Sequence, residues 1–582
     1  MLKTLASQIK EFKLPTLLTP LCMIGEVICE MIIPILMGRL VDRGIYGENM
    51  GYIVRTGGLM IVVALFALFF GISSGVCGSK ASAGFARNLR KAMHDNIQTY
   101  SFANIDKFST SSLVTRLTTD VTNIQNAFMM LLRMAIRAPF TMVIAMVMSF
   151  TLSARLATIY LGAVFVLAFF LILIMRTATK YFKQVFEKYD ELNESVQENV
   201  SAIRVVKSYV REDYEINKFQ TAAANIYLMF VKAEKNVALN GPVMQTVVYL
   251  CILLISWFGA HMIIGGTLTT GAMMSLLTYC MNILMSLMML SMIFVMLTMS
   301  QASARRISEV INEKSSLTNP ENPVMEVPDG SIRFDHVSFA YNADAKEPVI
   351  KDVTLEIRSG ERIGIIGGTG SAKSSLVNLI SRLYDVTDGA LYVGGHDVRD
   401  YDMEVLRDEV SVVLQKNVLF SGSIYDNLRW GDKNATDEEC REACRLACAD
   451  EFIEHMPEGY NTQIEQGGTN VSGGQRQRLC IARALLKKPK IIIFDDSTSA
   501  VDTATDARIR RALQDAIPET TKIIIAQRIA SVQECDRIIV MEDGRVDGFG
   551  PHDELVKTNA IYREVYESQT GMSGDADFDE MN

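Results

Sequence analysis

Residues 362–376 read RIGIIGGTGSAKSSL, and this stretch decides the fold of the part of the chain that contains it. Arg362 to Ile366 is a short apolar run of strand type. Gly367-Gly368-Thr369-Gly370-Ser371-Ala372-Lys373-Ser374-Ser375 is a glycine-rich loop, and an apolar-periodic helix starts at Leu376. Strand, loop and helix in that order form the setting of a phosphate-binding loop, in which glycines let backbone N–H groups close around phosphate oxygens. The helix N-terminus adds a positive dipole end, Lys373 reaches the β- and γ-phosphates, and Ser374 holds Mg²⁺. One position departs from the strict motif: Ala372 stands where glycine is required. A methyl there narrows the cradle, or strains the loop if the backbone needs a positive φ; the expectation is that nucleotide binding is retained.

Outward from the loop, Ile491-Ile492-Ile493-Phe494-Asp495 reads as a buried strand delivering a carboxylate that suits an Mg²⁺ ligand. Between the two lies Val471-Ser472-Gly473-Gly474-Gln475. Upstream, Ile332, Phe334, Val337 and Phe339 alternate as a strand, so the soluble α/β domain starts near Gly330. Pro320, Pro323 and Pro328 mark a linker over 305–329, and the domain runs to about 570, ahead of an acidic tail, 571–582, with Asp575, Asp577, Asp579 and Glu580.

The remaining half has a different solvent. The 582 residues carry 57 Lys+Arg and 66 Asp+Glu, a net charge of −9. Up to Ala304 there are 25 basic and 17 acidic residues; beyond it the balance is −17, which argues against a nucleic-acid partner. Six apolar stretches meet or approach the ~20 residues that a bilayer core demands. They lie near 16–38, 57–76, 134–153, 157–175, 241–264 and 271–300, and residues 271–304 carry no charge at all. Segments 77–127 and 176–235 are rich in Lys and Arg, whereas 44–52 and 262–271 have none. Positive-inside counting therefore puts both long segments, both termini and the soluble domain in the cytosol of a multi-pass plasma-membrane protein. The long segments read as helices continuing beyond the bilayer.

Glu26 and Glu30 share a face of the first span, either paired with Arg133 or Arg137 or in contact with a substrate. Met281, Met285, Met288, Met292, Met296 and Met299 form a stripe along the sixth span. Helix packing or lipid contact is the preferred reading of that stripe, and a lining for an adaptable cavity is the other. None of the ten cysteines forms a C-x-x-C pair, and they read as free thiols in a reducing compartment; Cys440, Cys444 and Cys448 share one helical face of core type. No removable signal peptide is evident at the N-terminus.

The phosphate loop, the strand carboxylate Asp495 and the Ser472–Gln475 signature together resemble the ATP-binding cassette (ABC) family, and the resemblance covers essentially the whole chain. Six spans followed by one cassette look like a half-transporter of the type IV exporters of bacterial multidrug type. The fold class is then a multidomain one: an all-α six-helix transmembrane domain, 1–304, followed by an α/β P-loop ABC nucleotide-binding domain, 330–570. The resemblance implies that Tyr341 stacks on adenine, that Gln415 reaches Mg²⁺ and the γ-phosphate, and that Ser499-Ala500-Val501-Asp502 is the D-loop. It also implies that 198–219, ENVSAIRVVKSYVREDYEINKF, contains a short helix that docks on a partner's cassette.

Two further departures bear on chemistry. After the strand carboxylate this family normally has Glu, and here stands Asp496. The shorter side chain retracts the carboxylate by roughly 1.5 Å, a misplacement that can cost about 10²-fold in rate. The switch histidine of the family is replaced in Ile525-Ala526-Gln527-Arg528 by Gln527, which can hydrogen-bond a phosphate but cannot carry a proton. With Ser472, Gly473, Gly474 and Gln475 intact, the reading is the degenerate-site subunit of a heterodimeric exporter: its own site binds ATP and hydrolyses it weakly, and its signature completes the partner's site. The expected ligands are ATP and Mg²⁺, and the expected partners are a second half-transporter, membrane lipids and a small lipophilic or drug-like substrate. Export of lipid or peptide, and an ATP-binding sensor or regulatory subunit, are the alternatives.

Overall fold

The computed structural model describes the chain except for residues 343, 344, 346, 497–501 and 576–582. It divides into two compact units, Met1–Gln98 with Ser109–Glu313, and Thr99–Phe108 with Lys314–Asn582. The main helices up to the second unit are α1 (Lys13–Arg39), α2 (Met50–Ile97), α3 (Phe102–Phe108), α4 (Val121–Leu152), α5 (Ala154–Ser201), α6 (Ile203–Ser208), α7 (Glu212–Ala238), α8 (Asn240–Ile264) and α9 (Thr270–Asn312). Of these only α3 belongs to the second unit.

Among the described residues six helical stretches are long and apolar enough to cross a membrane: Lys10–Ile45, Met50–Ile97, Thr110–Leu152, Ala154–Ala178, Glu212–Ile264 and Thr270–Asn312. Each contains or overlaps one of the six expected spans. The basic segments continue the helices as anticipated, since α2 and α5 are 48 residues each. At 1.5 Å per residue that is about 72 Å, more than twice the ~30 Å of a bilayer core. One boundary differs: α9 runs on to Asn312, past Ala304, because Ile307 and Val310 are buried. Asn96 also donates to the carbonyls of Val310 and Glu313 at 2.8 and 2.9 Å, so the linker expected from 305 begins after that helix.

The core of this unit joins α1, α4, α5, α8 and α9 through Val27, Ala145, Tyr160, Ile255, Leu276 and Tyr279. The two tyrosines satisfy their polar tips inside it, Tyr160 donating to Leu276 O at 3.1 Å and Tyr279 to Met31 O at 2.5 Å. Where α1 meets α9 the backbones nearly touch: a Cβ on Gly271 would lie 2.0 Å from Gly38 O, so only glycine fits. The acidic pair of α1 is bound to α4. Arg137 donates to Glu26 at 2.8 Å and to Glu30 at 2.6 Å, so the pairing alternative is realised with Arg137 rather than Arg133. The methionine stripe turns away from the core: Met281, Met285, Met288 and Met292 are exposed, while Ile283, Leu284 and Leu287 on the opposite face are buried. Those four residues therefore do not pack within this chain, which agrees with lipid contact, the other half of the preferred reading, and equally with a cavity lining; the side chain of Met299 lies outside the described residues.

The second unit contains β1 (Ile332–Phe339), β2 (Ile350–Ile357), β3 (Arg362–Gly367), α10 (Lys373–Ile380), β4 (Asp388–Val393), β5 (His396–Asp397), β6 (Val410–Val413), α11 (Gly473–Leu486), β7 (Ile491–Asp495), α12 (Thr503–Ala516), β8 (Thr521–Ile525), β9 (Arg537–Glu542), β10 (Arg545–Gly550) and α13 (Ala560–Asp575). An antiparallel sheet has the order β2-β1-β4-β5, and a six-stranded sheet has the order β10-β9-β3-β8-β7-β6. In the latter β9, β3, β8, β7 and β6 are parallel and β10 is antiparallel. Every residue of β7 is buried, as a central parallel strand requires. One core fills the space between the sheets and α10, a second surrounds α11, and a third seats α13. Cys440, Cys444 and Cys448 are buried in the second, and all ten cysteines are free thiols.

Replacing Arg137 by Met leaves two carboxylates facing each other in the membrane unit. The expected outcome is a fall of roughly 4–8 °C in the melting temperature of the detergent-solubilised protein, for a cost of about 2 kcal/mol on a partly exposed cluster. Adding Glu26→Gln and Glu30→Gln should recover part of it, which a thermal melt of the triple variant checks.

Candidate functional site at the strand ends

Parallel pairing aligns Ile365 of β3 with Ile525 of β8, and Ile525 with Asp495 of β7. The segments that leave the carboxyl ends of these strands therefore emerge side by side, where open α/β sheets place their ligand sites. From β3 comes the glycine loop, from β7 the pair Asp495-Asp496, and from β8 the segment holding Gln527.

The loop has the geometry of a cradle. Gly370 has φ +85°, and Cβ atoms on Gly368 and Gly370 would meet nothing within 4 Å, so both face open space. Lys373 curls back over the loop, its Nζ donating to Gly367 O at 2.9 Å, to Gly368 O at 2.7 Å and to Ser371 Oγ at 3.2 Å. Burial pushes this ammonium below its ordinary pKa, against the pull of Asp496 and Asp495. Ala372 sits at φ +72°, ψ +19°, in the left-handed region, as the residue that precedes α10. The strain anticipated for a methyl at that position is therefore present. Thr369 is exposed beside it.

Ser374 Oγ donates to Asp495 Oδ1 at 2.9 Å. Burial raises the Asp495 carboxyl, and the Ser374 hydrogen bond opposes that rise. A hydroxyl and a carboxylate at this separation form the hard-oxygen donor set that suits Mg²⁺, which takes few protein ligands. Among the described residues no group of three or more His, Cys, Asp and Glu offers a larger metal cage. Gln415, the third expected ligand, is exposed two residues past the end of β6, the strand that pairs with β7.

Tyr341 follows β1 and is 43% exposed, with ring edges of Phe339 and Tyr384 against it at 4.8 and 5.1 Å. Its hydroxyl shares a 2.8 Å hydrogen bond with Ser375 Oγ. Ser375, expected at the phosphates, is thus engaged with this ring. Tyr384 in turn donates to Asp106 Oδ2 at 3.0 Å, just inside the end of α3, a contact with a segment 278 residues away that no local pattern reveals.

The two departures from the family pattern meet. Gln527 Nε2 donates to Asp496 Oδ2 at 2.7 Å. Asp496 itself has φ +46°, and its N–H donates to Ile525 O at 3.1 Å.

The signature belongs elsewhere in this unit. Ser472 caps α11: its Oγ accepts from Gln475 N at 3.3 Å, and Gln475 Oε1 accepts from Ser472 N at 2.9 Å. This capping box leaves the N-terminal amides at Gly473 and Gly474 at the positive end of a 14-residue helix. The helix is seated on the second core, not the one beneath the glycine loop. Asp502 caps α12 by accepting from Thr505 N at 2.9 Å; Ser499, Ala500 and Val501 lie outside the described residues.

Residues 16–288 match the family model described as the ABC transporter transmembrane region, and residues 350–499 match the one described as ABC transporter. The uncharacterized ABC transporter ATP-binding protein YfiB of Bacillus subtilis (strain 168) is 34% identical over 568 residues, covering 98% of each chain. The ATP-dependent lipid A-core flippase of Desulfotalea psychrophila is 28% identical over 572 residues, covering 98% of this chain and 99% of its own. A bacterial Atm1-family ABC exporter solved with ATP bound shares the fold, with a TM-score of 0.81 at 23% identity over 96% of this chain and 98% of that one.

The left-handed Ala372 gives a test. Ala372→Gly should stabilise the chain by about 1 kcal/mol and raise its melting temperature by roughly 2–4 °C, while the unaltered chain still binds ATP in a calorimetric titration.

Proposed function

The chain belongs to the ABC transporter family, and from that premise we propose that it is one subunit of a heterodimeric exporter whose own ATP site is weakly hydrolytic. The family's cassette binds ATP and couples its hydrolysis to transport. The observation that carries the finer reading is the 2.7 Å hydrogen bond from Gln527 to Asp496. A shortened carboxylate and an amide that cannot hold a proton occupy the positions where the family has Glu and His, and each engages the other.

In this reading the glycine loop wraps the β-phosphate with its amides, and Lys373 leaves its carbonyl partners to hold the β- and γ-phosphates. Tyr341 stacks on adenine. Ser374 and Asp495, with Gln415, hold Mg²⁺, which supplies positive charge against the phosphate oxygens when bound. Gln527 hydrogen-bonds the γ-phosphate while Asp496 orients water poorly. Ser472 and the amides of Gly473 and Gly474 reach across to the partner's nucleotide, where they stabilise γ-phosphate charge. Asp502, at the start of α12, lies in the D-loop between the two sites.

The dimer is supported by apolar surface. Helix α6 and the residues after it leave Ile203, Val205, Tyr209 and Val210 exposed. That short segment docks on the partner's cassette and transmits closure to the spans, turning an inward-facing cavity outward. The cytosol holds both termini and the cassette, as the loop charges require. The exposed methionine face of α9 suits a soft, adaptable cavity wall, which supports a lipophilic or drug-like substrate. Lipid export is the second reading, favoured by the flippase relative.

The purified full chain should therefore hydrolyse ATP slowly without a partner, and Asp496→Glu with Gln527→His should raise its rate by about 10²-fold. Brisk ATPase of the unaltered chain that Asp496→Asn abolishes overturns the degenerate-site reading.

A further inference from the structure

Helix α13 hydrogen-bonds the switch segment through the side chain of Gln569. Gln569 Nε2 donates to Gln527 O at 2.9 Å, and Gln569 Oε1 accepts from Ile529 N at 2.8 Å. These are the two backbone groups, on either side of Arg528, that a residue of a neighbouring parallel strand would bond. The carboxamide replaces such a strand with both its donor and its acceptor, across 42 and 40 residues of sequence. A single flexible contact would not hold a loop; two opposed bonds at this spacing define its position.

The helix that carries Gln569 is itself fixed. Tyr562 is fully buried and shares a 2.8 Å hydrogen bond with His552 Nδ1. Ile561, Val565 and Tyr566 pack against the core formed by Ile529, Val532 and Ile538. The path then continues from the backbone of Gln527 to its side chain, which donates to Asp496 Oδ2.

We propose that Gln569 is a positioning residue for the nucleotide site: by clamping the backbone of Gln527 and Ile529 it sets where the Gln527 carboxamide points, and so how well this site tells a nucleoside triphosphate from a diphosphate. The inference rests on the reading that Gln527 contacts the γ-phosphate. Gln569 touches neither the glycine loop nor the Mg²⁺ ligands, so affinity for the diphosphate is outside its reach.

The test is a calorimetric titration of the full chain in detergent with Mg²⁺-ATP and Mg²⁺-ADP, comparing unaltered protein with Gln527→Ala, Gln569→Ala and Gln569→Glu. The Glu variant keeps the acceptor for Ile529 N and the packing of α13 but turns a carboxylate toward Gln527 O. The expected result is that all three variants lower the ratio of ADP to ATP dissociation constants, the Gln569 variants by about threefold to fivefold, with the ADP constant unchanged within about twofold. If Gln527→Ala lowers the ratio and either Gln569 variant keeps the unaltered value, the clamp is overturned while the role of Gln527 stands. If Gln527→Ala leaves the ratio unchanged, the γ-phosphate reading fails and the clamp with it. If ATP and ADP affinities fall together in the Gln569 variants, Gln569 is structural only and the proposal is overturned.

Discussion

The parallel register of β3, β8 and β7 is the constraint from which the nucleotide site hangs. Ile365, Ile525 and Asp495 lie in one row, so the loop, the carboxylates and Gln527 leave the sheet at neighbouring points. The row is held by a strand with no exposed residue and by backbone bonds such as Ala526 N to Ile365 O at 3.2 Å. Slipping one strand by a residue would carry Asp495 away from Ser374 and turn its side chain to the other face.

What the sequence made legible follows from how local each signal is. The glycine loop, the apolar strand ending in Asp495 and the signature from Ser472 to Gln475 are all encoded within a few consecutive residues. The six spans are legible because a bilayer demands a long apolar run wherever one occurs. The contacts that had to be seen are those between distant residues: Arg137 rather than Arg133 against Glu26 and Glu30, Tyr384 with Asp106, and Gln569 across the switch segment. Ser375 illustrates the difference, for its place in the motif says phosphate while the fold hands its hydroxyl to Tyr341. The end of α9 was hidden for another reason. Its last two turns are polar enough to read as linker, and only the burial of Ile307 and Val310 makes them helix.

The two departures, far apart in the sequence, are one structural feature. Asp496 and Gln527 lie 31 residues apart and share a hydrogen bond, so a change at either alters the surroundings of the other. Ala372 is a separate matter, a local strain in the cradle with no part in that bond. The signature meanwhile rests on its own core with its capping geometry complete. Departures at Asp496 and Gln527 beside an intact signature are the asymmetry on which the proposal of an unlike partner rests.

That asymmetry is tested most directly in the assembled transporter. The chain is purified together with the second half-transporter proposed as its partner, and steady-state ATPase is compared for Asp496→Asn and Ser472→Ala placed in this chain alone. The account predicts that Asp496→Asn retains most of the turnover, whereas Ser472→Ala, acting in the partner's site, lowers it by roughly 10²-fold. Turnover abolished by Asp496→Asn and untouched by Ser472→Ala would contradict it.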